Sequence, residues 1–143
     1  MTDISVHVQQ LRPEDLSWDL TPDQQMAYVE GGTLDVAGFN QAQHYPNGFI
    51  PSGAVLALNP AGHLVPYLNS AADSTNVAVG ILRASLQVVR PDGSVKGLIG
   101  APVMKAFGVV SSAALPFNST NQALGGYIDS TGKTDLAHIH FAA

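Results

Sequence analysis

The chain has 143 residues, 45% apolar and 12% charged, a balance that excludes a disordered polypeptide and fits one domain with one core. Six Lys and Arg stand against eleven Asp and Glu, for a net charge of -5, and the cations (Arg12, Arg83, Arg90, Lys96, Lys105, Lys133) are scattered. Nucleic acid is therefore not an expected partner, because neutralising phosphates needs several cations on one surface. The chain has no cysteine, which removes disulfides, thiolate nucleophiles and the commonest structural zinc ligands together.

No apolar run approaches the length that spans a bilayer, and MTDISVHVQQ has neither the basic start nor the apolar run of a signal peptide. Neither membrane insertion nor export is expected. Residues 1–32 are rich in acids and glutamine and read as an N-terminal arm, leaving 33–143 as a β domain. The arm carries an alternating strip, Ile4, Val6 and Val8, and isolated large apolar residues Leu11, Leu16, Trp18 and Leu20. Trp18 has two readings: an anchor for a partner's pocket, since a large aromatic gains much from burial, or a residue that packs back on its own domain. Thr21-Pro22-Asp23-Gln24 fits a helix start with a Thr cap and Pro at the first position, and Gly31-Gly32 would stop it.

From Thr33 the period becomes two, with Leu34 and Val36 on one face, so a strand is expected to open the body there. Two prolines and two glycines in residues 45–53 predict a rigid surface loop. Residues 54–58 and 63–67 flank Asn59-Pro60-Ala61-Gly62, the chemistry of a type I turn ending in a left-handed glycine, and predict a hairpin. A second hairpin is expected from the β-branched run 77–89 through Arg90-Pro91-Asp92-Gly93 to 94–99, with a bulge marked by Gly80. Further expectations are a strand over 103–110, a short helix capped near Asn118 and stopped at Gly125-Gly126, a turn at 130–133 and a last strand around 136–141.

Four reactive patterns fail on their residues. His138-Ile139-His140 would aim two imidazoles at one metal if strand-like, but a zinc site needs a third protein ligand and only Asp135 is near; a half-exposed terminal strand or a subunit contact is the stronger reading. Gly132-Lys133-Thr134 looks like the tail of a phosphate loop, yet the motif needs glycine where Tyr127 stands. There is no G-x-S-x-G elbow to present a serine nucleophile. The acids concentrate in the arm, where solvation explains them, with Asp35 and Asp73 as the body acids to watch. Asn118-Ser119-Thr120 matches a glycosylation sequon but reads as a helix cap.

The ordered segments Gly32-Thr33-Leu34-Asp35-Val36, Tyr45-Pro46-Asn47-Gly48-Phe49-Ile50-Pro51-Ser52-Gly53-Ala54-Val55-Leu56, Gly62-His63-Leu64-Val65-Pro66-Tyr67 and Val77-Ala78-Val79-Gly80-Ile81-Leu82, with Leu115-Pro116-Phe117, cover most of 32–117. In order and spacing they resemble the lambda-like head decoration proteins of tailed bacteriophages. The resemblance implies a mainly β, β-clip or β-barrel-like domain with one or two short helices and an extended arm. It further implies a homotrimer on the outer surface of the virion head, at three-fold positions of the expanded shell, with the major capsid protein as partner and no catalysis or cofactor. Its arm would lie on the capsid protein and add a strand to its sheet, main-chain hydrogen bonds supplying affinity and alternate side chains specificity. Ile4, Val6, Val8, Trp18, Leu34 and Val36 are the residues to which capsid contact is assigned on that basis. Two other readings stand beside it: a metal-binding or hydrolytic β domain using His138 and His140, and a β module that binds host surfaces.

Overall fold

Residues 15–21 and 27–142 are described by a computed structural model, and they form a mainly β domain with two short α-helices. Strand β1 (Tyr28–Asp35) begins before Thr33, inside the stretch read as arm. The glycine pair that local propensity would use as a stop is held extended by its neighbour across the sheet, Gly31 opposite Pro102 and Gly32 opposite Ala101. Pairing across the sheet decides the conformation there, not intrinsic preference.

After β1 a 3-10 turn, Val36–Gly38, is capped by Asp35, whose Oδ1 accepts from Ala37 N at 3.1 Å. The unforeseen helix α1 (Gln41–His44) follows, capped by Asn40, whose Oδ1 accepts from Gln43 N at 3.1 Å. The expected loop at 45–53 contains the two-residue strand β2 (Phe49–Ile50). Then β3 (Val55–Leu58) and β4 (Leu64–Pro66) form the expected hairpin, with Gly62 at φ 81 and Asn59 Oδ1 accepting from Ala61 N and His63 N.

The run 77–89 splits into β5 (Ala78–Leu82) and β6 (Leu86–Gln87), and β6 pairs with β2 instead of continuing a second hairpin. The turn at 90–93 does form, closed by Gly93 N to Arg90 O at 2.9 Å, but only the isolated bridge Val89–Val95 flanks it. Strand β7 (Leu98–Ala106) spans the end of one expected strand and the start of the next, and β8 (Val109–Ser111) resumes after Phe107-Gly108. Asn118 caps a turn, accepting from Thr120 N and Asn121 N, and no helix follows it. The helix is instead α2 (Ser130–Asp135), where a turn was expected, because Asp129 Oδ1 accepts from Gly132 N at 2.7 Å. The last strand shrinks to β9 (His140–Ala142).

Strands β1-β4-β3-β5-β7 close into a barrel, while β2 with β6 and β8 with β9 make two-stranded sheets. Every barrel strand contributes to one core cluster, including Leu34, Leu56, Leu64, Leu82 and Val103, which therefore fills the barrel. The alternate residues Val55, Ala57, Ile81 and Met104 point to the outer face and build a second cluster with Val110, Leu136 and Ile139. Covered on both faces, β3 reads as the continuous apolar run VLAL. The expected bulge is present: Leu56 opposes Gly80 but Ala57 opposes Ala78, leaving Val79 as the extra residue. That extra residue lets Ala78 and Ile81 share the outer cluster although three positions apart. A Cβ on Gly80 would collide with Val103 Cγ1 and the Met104 carbonyl, so the strands approach there only because the residue is glycine. No helix among the described residues is long and apolar enough to cross a membrane.

Candidate functional site

Residues 15–21 run across the outer cluster as a strap. Trp18 is 1% exposed, and its Nε1–H donates to Ser52 Oγ at 3.2 Å, while the Ser52 hydroxyl donates to Asp15 O at 2.9 Å. The strap pairs antiparallel with β8 through Asp19 and Val110: Ser111 N donates to Trp18 O at 2.7 Å and Leu20 N to Val109 O at 2.8 Å. Thr21 Oγ1 accepts from Val109 N at 3.1 Å. Asp19 Oδ2 lies 3.2 Å from Arg83 Nη2, with both side chains largely buried. Asp19 Oδ1 accepts from Thr21 N at 3.1 Å, but the contact to Arg83 lacks hydrogen-bond geometry, so the charge is neutralised while Oδ2 accepts no hydrogen bond. Such a pair locks position more than it adds stability.

Of the residues assigned to capsid contact, Ile4, Val6 and Val8 lie outside the described residues. Trp18 takes the second of its two readings and packs on its own domain. Leu34, in β1, and Val36, at the start of the 3-10 turn that follows it, are both 0% exposed and belong to the barrel core. These three side chains present no surface.

What faces outward lies nearby, along residues 106–109. Tyr28 is 50% exposed and opposite Ala106, Phe107 is 69% exposed, and Leu20, 47% exposed, hangs on the Val109 carbonyl. Val29, opposite Met104, is also exposed. Phe107 has φ 61, the left-handed region that a bulky residue rarely occupies. A long-range hydrogen bond holds it there: its N–H donates to His138 O at 2.8 Å. One edge of β1 is paired with β7 along its whole length. On the other edge β4 meets β1 only at Leu34–Leu64, so the backbone of residues 28–33 has no strand partner there among the described residues. An edge beside exposed apolar side chains can take a further strand or a flat apolar partner. Sequence reasoning missed Phe107, which lay inside the strand expected over 103–110.

The buried titratable groups are engaged structurally. His44 Nδ1 accepts from Asn40 N at 2.9 Å, so the neutral ring carries its hydrogen on Nε2, which donates to Gly125 O at 2.9 Å. Burial lowers its pKa from 6.5, opposed by the Gly125 contact. With both nitrogens committed to backbone, the imidazole is not placed as a base. The Tyr67 hydroxyl donates to Asp129 Oδ1 at 2.8 Å, and burial together with that carboxylate pushes its pKa far up. Asp15, Asp73 and Asp92 lie below the usual carboxylate range, held there by hydrogen bonds from Ser17, Thr75 and Ser94.

His138 sits in a turn and His140 in β9, both exposed, so the strand alternation that would aim them at one ion does not hold. Among the described residues no three His, Asp or Glu side chains gather to hold a metal ion. No protein-family model matches the chain, and no curated protein matches it.

Proposed function

We propose that the chain is a structural capsid decoration protein, a homotrimer that binds the major capsid protein at three-fold positions of an expanded phage head and stabilises it against internal DNA pressure. The observation that supports this reading most is the half-open edge of β1 beside Tyr28, Val29 and Phe107. It offers main-chain hydrogen bonds and apolar contact together, the means by which strands and flat surfaces are joined without chemistry. The segments that carry the resemblance also build the barrel wall and its core, including β3, β4 and β5. Many copies on one particle would multiply individually weak contacts.

Light scattering and co-sedimentation with shells test the proposal. The expected result is a trimer that pellets with expanded shells and not with immature ones; a monomer indifferent to shells overturns it. The buried strap refines the truncation experiment. Removing residues 2–14 spares Trp18 and β1 and should weaken attachment while leaving the unfolding transition in place. Full attachment by that truncated protein would show that the first fourteen residues make no shell contact.

A further inference from the structure

A pocket of about 520 Å³ opens between α1, the loop that holds β2 and the segment around Pro116. That volume is typical of small-molecule sites, which lie between roughly 300 and 1,000 Å³. Its apolar lining includes Phe49, Pro116 and Phe117, and its polar lining Asp15, Gln43 and Asn47. The walls are braced from behind. His44 ties α1 to the Gly125 carbonyl, and its ring meets Phe117 edge-on at 5.3 Å between centroids. A pocket whose walls are already fixed loses less freedom when a ligand enters.

The hydrogen-bonding groups left over define the ligand. Gln43 Oε1 is taken by Leu124 N at 3.0 Å, which leaves its NH2 group to donate. The Asn47 amide has no partner among the described residues. Asp15 Oδ1 accepts from Ser17 N at 3.0 Å, and a carboxylate retains further lone pairs. The pocket lining therefore offers amide donors together with two acceptors, the Asp15 carboxylate and the Asn47 amide oxygen. No Lys or Arg lines it, and the one histidine in it has both nitrogens committed, so an anionic ligand would find no counter-charge. A cationic ligand would pair with Asp15 but leave the Gln43 NH2, whose own amide oxygen is already taken, without an acceptor. Hydroxyl groups both donate and accept, and so match both kinds of group at once.

We propose that this pocket binds an uncharged polyhydroxylated ligand of monosaccharide size, its hydroxyls on Asp15, Gln43 and Asn47 and a C–H face against Phe49 and Pro116. The binding is independent of shell attachment, so each proposal can fail without the other. The test is a titration of the 15N-labelled full chain with methyl β-galactopyranoside, methyl α-glucopyranoside and N-acetylglucosamine, with choline as the cationic control. At least one saccharide should produce saturable shifts in the side-chain NH2 signals of Gln43 and Asn47 and in the Phe49 amide, and choline should produce none. Asn47→Leu should weaken that saccharide about tenfold by removing an amide that hydrogen-bonds the ligand, with an unchanged unfolding midpoint. Asn47→Ala replaces it if leucine disturbs the turn. Absence of saturable shifts with all three saccharides, shifts that map elsewhere, shifts with choline alone, or undiminished affinity in the folded variant would each overturn the proposal.

Discussion

Two stretches within the first third of the chain carry similar apolar side chains and meet opposite fates. In residues 15–21, Trp18 is buried and the backbone is hydrogen-bonded to β8; in β1, Tyr28 and Val29 stand half exposed along an edge that has no second neighbour among the described residues. Composition does not separate them. A prepared cavity does: Gly53 lies so close to the indole and to Pro116 that a Cβ there would meet both, whereas nothing comparable among the described residues closes over Tyr28 or Phe107. The stretch read from sequence as one arm thus contains a part sealed to the body and a part turned outward.

The largest test of that contrast is Trp18→Ala. Removing a fully buried indole should cost about 3–5 kcal/mol, read from the urea midpoint and slope. A loss below about 1 kcal/mol would mean the cavity relaxes around the gap and the strap is not sealed. The same substitution should leave β1 paired, because its register partners on β7 do not involve the strap.

How much of this was legible depended on how local the cause was. The β3–β4 hairpin was readable because Asn59 and Gly62 carry its turn within a few residues. Strand β7 was not, since its residues 98–102 are paired with β1, more than sixty positions earlier. Helix α2 hides behind Gly132, a poor helix former, and depends on the cap from Asp129 together with Leu136 reaching the outer core. At the candidate site, Leu34 and Val36 were correctly seen to share a face, but a period of two does not say whether that face meets a core or a partner. The left-handed Phe107 has no propensity signal, because its conformation is tied to the His138 carbonyl, thirty-one positions later.

A second anchor sharpens the sealed side of the comparison through pH. Burial depresses the pKa of His44 below its ordinary 6.5, so between the folded and unfolded values the unfolded chain binds more protons. Its contribution is complete above the unfolded value, falls as pH drops below it, and levels off once the folded value is passed. The lowered carboxyls of Asp15, Asp73 and Asp92 act in a separate window, their contributions lost as pH falls below 3.8. The urea midpoint of the wild type should therefore decline as pH falls below 6.5, the value from which burial lowers His44. His44→Gln should flatten that decline while lowering the midpoint throughout, since the Asn40 N–H and the Gly125 carbonyl lose a fitted partner. An unchanged slope in the variant would place the pH response elsewhere.

The smallest effect belongs to the outward side. Phe107 holds a left-handed backbone with its ring 69% exposed, so it has strain and little burial to offset it. Asparagine tolerates that conformation, and because the hydrogen bond to His138 is made by the backbone, Phe107→Asn keeps it. Stability should rise by about 0.5–1 kcal/mol in thermal or urea unfolding. If Phe107 contacts the shell, attachment should weaken in the same variant, so that stability and binding move in opposite directions. A loss of stability would show that the ring packs in solution, and unchanged attachment would remove Phe107 from the contact. Trp18→Ala should do the reverse, costing fold stability first and attachment only as folded protein is lost, which separates a side chain kept for the core from one kept for a partner.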